Sequence, residues 1–208
     1  FSAPSGTTKS NAACELPVSP VHGGAPARAL LTALTAWISD ETLPPESRYP
    51  SRSDGTLASA EGLYPAIPGL PYSGLYNPAE WVEQGYPFPV VKGVYPLLLP
   101  RVDSDGNTLG GIRMPLIEAS RATYTAWNPM RGQAAAMLCN QLGGVLPYAA
   151  TKAERLSAGD PRLSLEERYP SPDAYVGAVR AAATRLVWER MLLPEDAADM
   201  VDAAETGK

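Results

Sequence analysis

The 208-residue sequence predicts a mixed α+β fold: an N-terminal helix, a proline-rich wrap, a β-hairpin and C-terminal helices. Three observations predict it. Apolar residues recur at helical spacing over residues 26–38, nine prolines punctuate residues 43–89, and helix-start signals repeat from Thr151 onward. The chain's 22 prolines and 18 glycines together exceed ordinary globular usage, yet stay below the share that signals disorder. Its 22.0 kDa suits one sizeable core rather than two domains.

Residues 1–24 are rich in Ser, Pro, Gly and Thr without an apolar period, which predicts an extended arm. The first regular element follows. Leu30, Leu31, Leu34, Trp37 and Ile38 form an apolar stripe, Pro26 suits a first helical turn, and Pro44 and Pro45 forbid continuation, so residues 26–38 read as an amphipathic helix. The prolines of 43–89 then exclude long helices and central strands. Tyr49, Tyr64, Tyr72, Tyr76, Trp81, Tyr86 and Phe88 are the side chains expected to hold that wrap down.

Residues 90–102 and 109–117 are rich in β-formers and flank Asp103, Ser104, Asp105, Gly106 and Asn107, which predicts a hairpin across an acidic turn. The turn fails as a calcium loop. Counting from Asp103, the sixth and twelfth positions are Thr108 and Met114, where an EF-hand needs Gly and Glu. Residues 133–142 suit a short helix or a loop that only touches down. Helices are then expected over 151–158, closing on Gly159, from the capping-box string 164–167, from Ser171-Pro172 to about Leu192, and after Pro194. Tyr175, Val179, Ala182, Leu186 and Val187 make the buried stripe of the long one. Glu195, Asp196, Asp199, Asp202 and Glu205 on the last helix read as a solvated face rather than an acidic docking face.

The net charge of −5 and the absence of clustered Lys and Arg argue against nucleic acid or an anionic membrane as partners. No apolar run approaches the roughly 20 residues of a membrane span, and the first residues are not a signal peptide, so the chain reads as soluble with any export signal removed. It begins at Phe1, as expected of a processed protein or the later part of a longer one. Cys14 and Cys139 fit a disulfide to each other, two buried thiols, or bonds to cysteines elsewhere. No metal site or cofactor is expected. Two cysteines without close spacing and one histidine cannot build a structural zinc site, and glycine patterns for phosphate binding are incomplete.

Catalytic chemistry is conspicuously scarce. The one histidine, His22, lies between prolines and glycines and reads as a loop residue rather than a base. No Gly-x-Ser-x-Gly elbow is present. Paired acids such as Asp103 with Asp105 and Glu166 with Glu167 read as solvated surface. The best candidate for contact with a small molecule is the stretch 121–129, where Tyr124, Trp127 and Asn128 combine aromatic and hydrogen-bonding groups; core anchors and a turn are the equal alternative.

Several collinear strings resemble the C-terminal part of a bacterial group in the α/β-hydrolase superfamily. They include residues 14–20, Arg28-Ala29-Leu30-Leu31-Thr32-Ala33-Leu34, Pro45-Glu46-Ser47-Arg48-Tyr49-Pro50, Asp54-Gly55-Thr56-Leu57 and Tyr64-Pro65-Ala66-Ile67-Pro68-Gly69. Ala122-Thr123-Tyr124-Thr125-Ala126-Trp127-Asn128, Thr151-Lys152-Ala153-Glu154-Arg155-Leu156, Gly159-Asp160-Pro161-Arg162, Ser164-Leu165-Glu166-Glu167-Arg168-Tyr169 and Leu192-Leu193-Pro194-Glu195-Asp196-Ala197 extend the likeness over residues 14–204. The resemblance implies an α/β fold overall, with residues 25–208 the C-terminal portion of one hydrolase domain that is secreted or periplasmic. It implies that the serine, acid and histidine all precede Phe1, so no catalytic residue falls here. The partner would be the N-terminal catalytic portion of the same hydrolase, with this chain either a proteolytic fragment or one chain of a cleaved two-chain enzyme, and the substrate a small or polymeric ester. An aromatic-rich binding module for sugar or peptide, using Tyr64, Tyr72, Tyr76, Trp81 and Trp127, is the alternative.

Overall fold

The computed structural model describes residues 12–72, 74, 79–85, 87–132, 137–139 and 142–207. In chain order the elements are α1 (Gly24–Asp40), β1 (Leu57–Ala58), β2 (Glu80–Glu83), β3 (Val90–Val94), β4 (Leu99–Pro100), α2 (Pro115–Glu118), β5 (Ala122–Tyr124), β6 (Val145–Pro147), α3 (Lys152–Ala158), α4 (Leu165–Arg168), α5 (Pro172–Trp188) and α6 (Pro194–Thr206). The strands make three two-stranded antiparallel sheets: β1 with β4, β2 with β3, and β5 with β6.

The helices start where local chemistry satisfies their orphan N–H groups. Thr151 with Glu154 and Ser164 with Glu167 form complete capping boxes on α3 and α4, and Ser171 accepts a bond from the Ala174 N–H at the start of α5. Pro172 and Pro194 occupy first turns, where a missing N–H costs nothing. Val179, Ala182, Ala183 and Leu186 line the buried face of α5 and meet Val201 of α6. The predicted run to Leu192 stops at Trp188. Arg190 turns left-handed and Met191 donates back to the Leu186 carbonyl at 2.8 Å, which tucks Met191 and Leu192 into the same core.

The predicted hairpin does not form as a pair of long strands. Val102 and Thr108 make a single antiparallel bridge across the turn, while β3 pairs with β2 and β4 pairs with β1. Pro96 and Pro100 interrupt the first arm, and Pro115 converts the second into α2. Of residues 133–142, positions 133–136, 140 and 141 lie outside the described residues. Leu138 bridges Pro129 in extended pairing, not helix. Residues 1–11 of the predicted arm also lie outside. The rest of the arm is a strap: Ser19 N–H donates to Gly143, Pro17 accepts from Val145, and Cys14 bonds to Cys139. The cysteine alternatives left open by sequence thus resolve to an internal disulfide, with no free cysteine among the described residues.

Helix α1 is present but faces the other way from a core stripe. It buries Ala25, Ala29 and Ala33, while its large apolar residues point to solvent. Asp196 is a second correction, because it is a buried acid rather than part of a solvated face: it pairs with Arg28 of α1. Within the proline-rich wrap, Tyr64 and Tyr72 do hold the chain down, but Tyr49, Trp81 and Phe88 are exposed; Tyr76 and Tyr86 lie outside the described residues.

At the centre, Arg162 and Asp160 form a buried ion pair at 2.6 Å, with side chains only 2% and 7% exposed. Arg162 also donates to Thr123 Oγ1 at 2.9 Å, Leu146 O at 3.0 Å and Pro147 O at 3.3 Å, tying β5, β6 and the 160–164 segment together. Burial alone would raise the Asp160 pKa, but the Arg162 side chain and backbone N–H hold it below its ordinary value. Arg162→Met should cost about 3–5 kcal/mol, because it leaves the Asp160 carboxylate buried without its counter-charge; urea denaturation measures it. At the surface, the Arg155 guanidinium and then the Ser164 N–H hold Glu167 down to about 2 from 4.5. That contribution is complete above pH 4.5 and is lost as pH falls towards about 2. Glu167→Gln should therefore flatten the stability slope in that acid window, read by denaturation at stepped pH.

Candidate functional site

The segment after β5 is held from both sides. Asn128 is fully buried: its Oδ1 accepts from Leu16 N at 3.0 Å and its Nδ2 donates to Leu16 O at 2.8 Å, so one side chain pairs with the strap as a strand would. Tyr124 is buried with Ala122 and Val145, and burial pushes its hydroxyl pKa well above the ordinary tyrosine value. Trp127 alone of the three keeps exposed surface. Its indole N–H donates to Tyr64 Oη at 3.0 Å, and the Tyr64, Tyr72 and Trp127 rings sit with centroids 4.7–5.5 Å apart in tilted and edge-on contacts. The Tyr72 hydroxyl donates to Ala60 O. This aromatic cluster pins the wrap to the end of β5.

His22 is exposed, and its Nδ1 accepts from Gly24 N at 3.3 Å at the start of α1. No serine, cysteine or carboxylate hydrogen-bonds to it among the described residues. The acidic turn is occupied by protein cations. Asp103 Oδ1 accepts from the Asp105 and Asn107 N–H groups at 3.0 and 2.9 Å, its Oδ2 pairs with Arg113, and Asp105 pairs with Arg168. No group of three or more His, Cys, Asp or Glu side chains suited to a metal occurs among the described residues.

Sequence reasoning missed a polar cluster around Tyr148. Tyr148 Oη lies 2.8 Å from Ser120 Oγ and accepts from Asn107 Nδ2 at 3.0 Å, while the Arg162 and Arg168 guanidiniums stand 5.1 and 4.4 Å from its ring centre. No spacing rule unites residues 107, 120, 148, 162 and 168; folding alone does. Asn107, Ser120, Tyr148 and Arg162 are all buried. Burial pushes the Tyr148 hydroxyl up to about 12 despite the Ser120 hydrogen bond, so it stays protonated at neutral pH.

Residues 2–202 match the family described as Alpha/beta hydrolase domain. The chain belongs to the alpha/beta hydrolase domain family. No curated protein and no solved structure matches it. In an alpha/beta hydrolase the nucleophilic serine stands on a sharp strand-to-helix turn at the top of the central sheet. This alpha/beta hydrolase chain has no Gly-x-Ser-x-Gly string, and its described strands form three two-stranded antiparallel sheets. No helix among the described residues is long and apolar enough to cross a membrane.

The Tyr148 cluster has a measurable alkaline signature. Its folded pKa of about 12 exceeds the ordinary 10.0, so its contribution is complete below pH 10 and is lost as pH rises towards 12. Phenolate absorbance should show Tyr148 ionising late in the native protein. Tyr148→Phe should reduce the late component by one tyrosine, leaving those of Tyr124 and Tyr169.

Proposed function

We propose that this chain is the C-terminal, non-nucleophile-bearing portion of a serine carboxylic-ester hydrolase, packing on the catalytic portion and bordering its substrate pocket. The observation that carries the reading is the outward face of α1. Leu30, Leu31, Leu34, Trp37 and Ile38 are 41, 63, 45, 48 and 76% exposed on one helix of an alpha/beta hydrolase chain whose described strands include no central sheet. An apolar face of this kind marks a surface to be covered, at about 25 cal/mol per Å² buried.

In this reading the catalytic portion supplies the sheet, the serine, the acid, the histidine and the oxyanion hole, and the reaction needs no cofactor. Trp127 borders the pocket with Tyr64, and Tyr124 and Asn128 hold that wall from behind. The substrate is an ester, small or polymeric. The Cys14–Cys139 disulfide supports an oxidising location, secreted or periplasmic. Mutual packing of Tyr64, Tyr72 and Trp127 leaves the aromatic-platform alternative with few free ring faces.

The decisive experiment is intact-mass analysis under denaturing conditions of the protein purified from its natural source, with ester hydrolysis measured on the same sample. The nucleophile should reside on a linked or co-purifying portion, and His22→Ala should leave hydrolysis intact. In α1, Leu34→Glu with Ile38→Glu should leave the melting of this chain nearly unchanged, because both side chains are exposed, and should abolish association with the catalytic portion. A homogeneous 22.0 kDa protein that hydrolyses esters alone and loses activity with His22→Ala would overturn the proposal.

A further inference from the structure

A separate polar cleft lies between residues 47–56 and the Gly110–Gly111 turn, with a volume of about 370 Å³. That is within the size range of small-molecule sites, roughly 300–1,000 Å³. Its walls are fixed independently of any ligand. Thr56 O accepts from Arg101 N at 2.8 Å beside the β1–β4 pair, and Arg48 pairs with Glu189 of the α5 end at 2.9 Å. Inside the loop, Ser51 N donates to Thr56 Oγ1 at 2.8 Å, and Asp54 N donates to Ser51 Oγ at 3.2 Å. A Cβ on Gly110 would lie 3.0 Å from Pro50, so glycine there lets the two walls close together. Gly111, which lines the cleft, has φ +85°, a conformation that glycine adopts without strain.

The groups still available carry the inference. Ser47 Oγ, Tyr49 Oη and the N–H groups of Gly110 and Gly111 make no hydrogen bond among the described residues, and Asp54 uses only Oδ1, towards Ser53. Tyr49 is 66% exposed. Of the two lining charges, Arg48 is paired with Glu189, and Asp54 has no cation partner among the described residues. An anion therefore finds no spare cation, and a metal ion finds one carboxylate. What remains is a mixed set of donors and acceptors beside an aromatic face, suited to vicinal hydroxyls whose C–H side lies against the ring.

We infer that this cleft is a subsite for a neutral polyhydroxylated ligand, a sugar unit held by Asp54, Ser47 and the Gly111 backbone over Tyr49. The inference stands apart from the hydrolase reading, because it needs neither a catalytic portion nor turnover.

Saturation-transfer NMR on the chain with glucose, cellotriose, xylotriose and maltotriose tests it. Transfer from glucose marks recognition of a free sugar; transfer from a trisaccharide alone marks a polymer chain. Either result supports the subsite if Tyr49→Ala and Asp54→Asn each weaken binding about tenfold, the loss of one such contact, while thermal melting is unchanged. No transfer from any of the four sugars, binding indifferent to both substitutions, or displacement of the sugar by inorganic phosphate would overturn it.

Discussion

The Arg162 guanidinium organises the middle of this fold. All five of its N–H donors have partners: Asp160 takes those of Nε and one of Nη2, and Thr123, Leu146 and Pro147 take the rest. A buried charge is tolerated only when desolvation is offset this completely. The consequence is a polar knot where a small domain would ordinarily place leucines. Apolar packing is divided around it, with the α5–α6 core on one side and the smaller Ala122, Tyr124 and Val145 cluster at β5–β6. Arg168 and Asp105 extend the knot to the acidic turn, and Thr123 also donates to Asp105 O, so a loop with almost no strand pairing is held by side chains instead.

The same substitution of side chains for ladders recurs at the candidate site. Asn128 completes the pairing of the strap with its amide, and Trp127 grips the wrap through Tyr64 and Tyr72. Prolines prevent the wrap from joining a sheet by its backbone, so its aromatics are what remain to attach it. That division of labour explains why one short stretch, residues 124–128, reads equally as pocket wall and as core anchor. Tyr124 and Asn128 are occupied with structure, and Trp127 stands between the two roles.

What could be read in the sequence was local. Capping boxes at Thr151 and Ser164, Pro172 at a first turn and Gly159 at a helix end act within a few residues, and each sits where its chemistry places it. The hairpin failed because strand pairing is a long-range choice. Leu99 and Pro100 pair with Ala58 and Leu57, far back in the chain, and nothing in the 99–117 stretch announces that partner. The polar cluster around Tyr148 was invisible for the same reason. So was the sugar-sized cleft, whose Gly110 and Pro50 meet only in space. For α1, periodicity gave a helix and a stripe, but a stripe does not say whether its partner lies in the same stretch of chain.

That ambiguity has an energetic resolution. With only Ala25, Ala29 and Ala33 facing inward, α1 gains little from hydrophobic anchoring, since alanine buries small area. Its position is set instead by bonds that leave the large residues free. Arg28 pairs with Asp196 of α6, the segment beyond α1 is tied through Arg48 to Glu189 and through the Arg190 guanidinium to Leu43 O, and the strap leading into α1 is closed by the disulfide. Glu189 Oε2 is buried without a partner, so Arg48 is its one compensating charge among the described residues. A helix fixed by a covalent link in the strap before it and by charged groups on it and beyond it can present leucines and a tryptophan outward without collapsing onto its own core. That is the arrangement a helix needs if its apolar face is to be buried by another part of the same hydrolase.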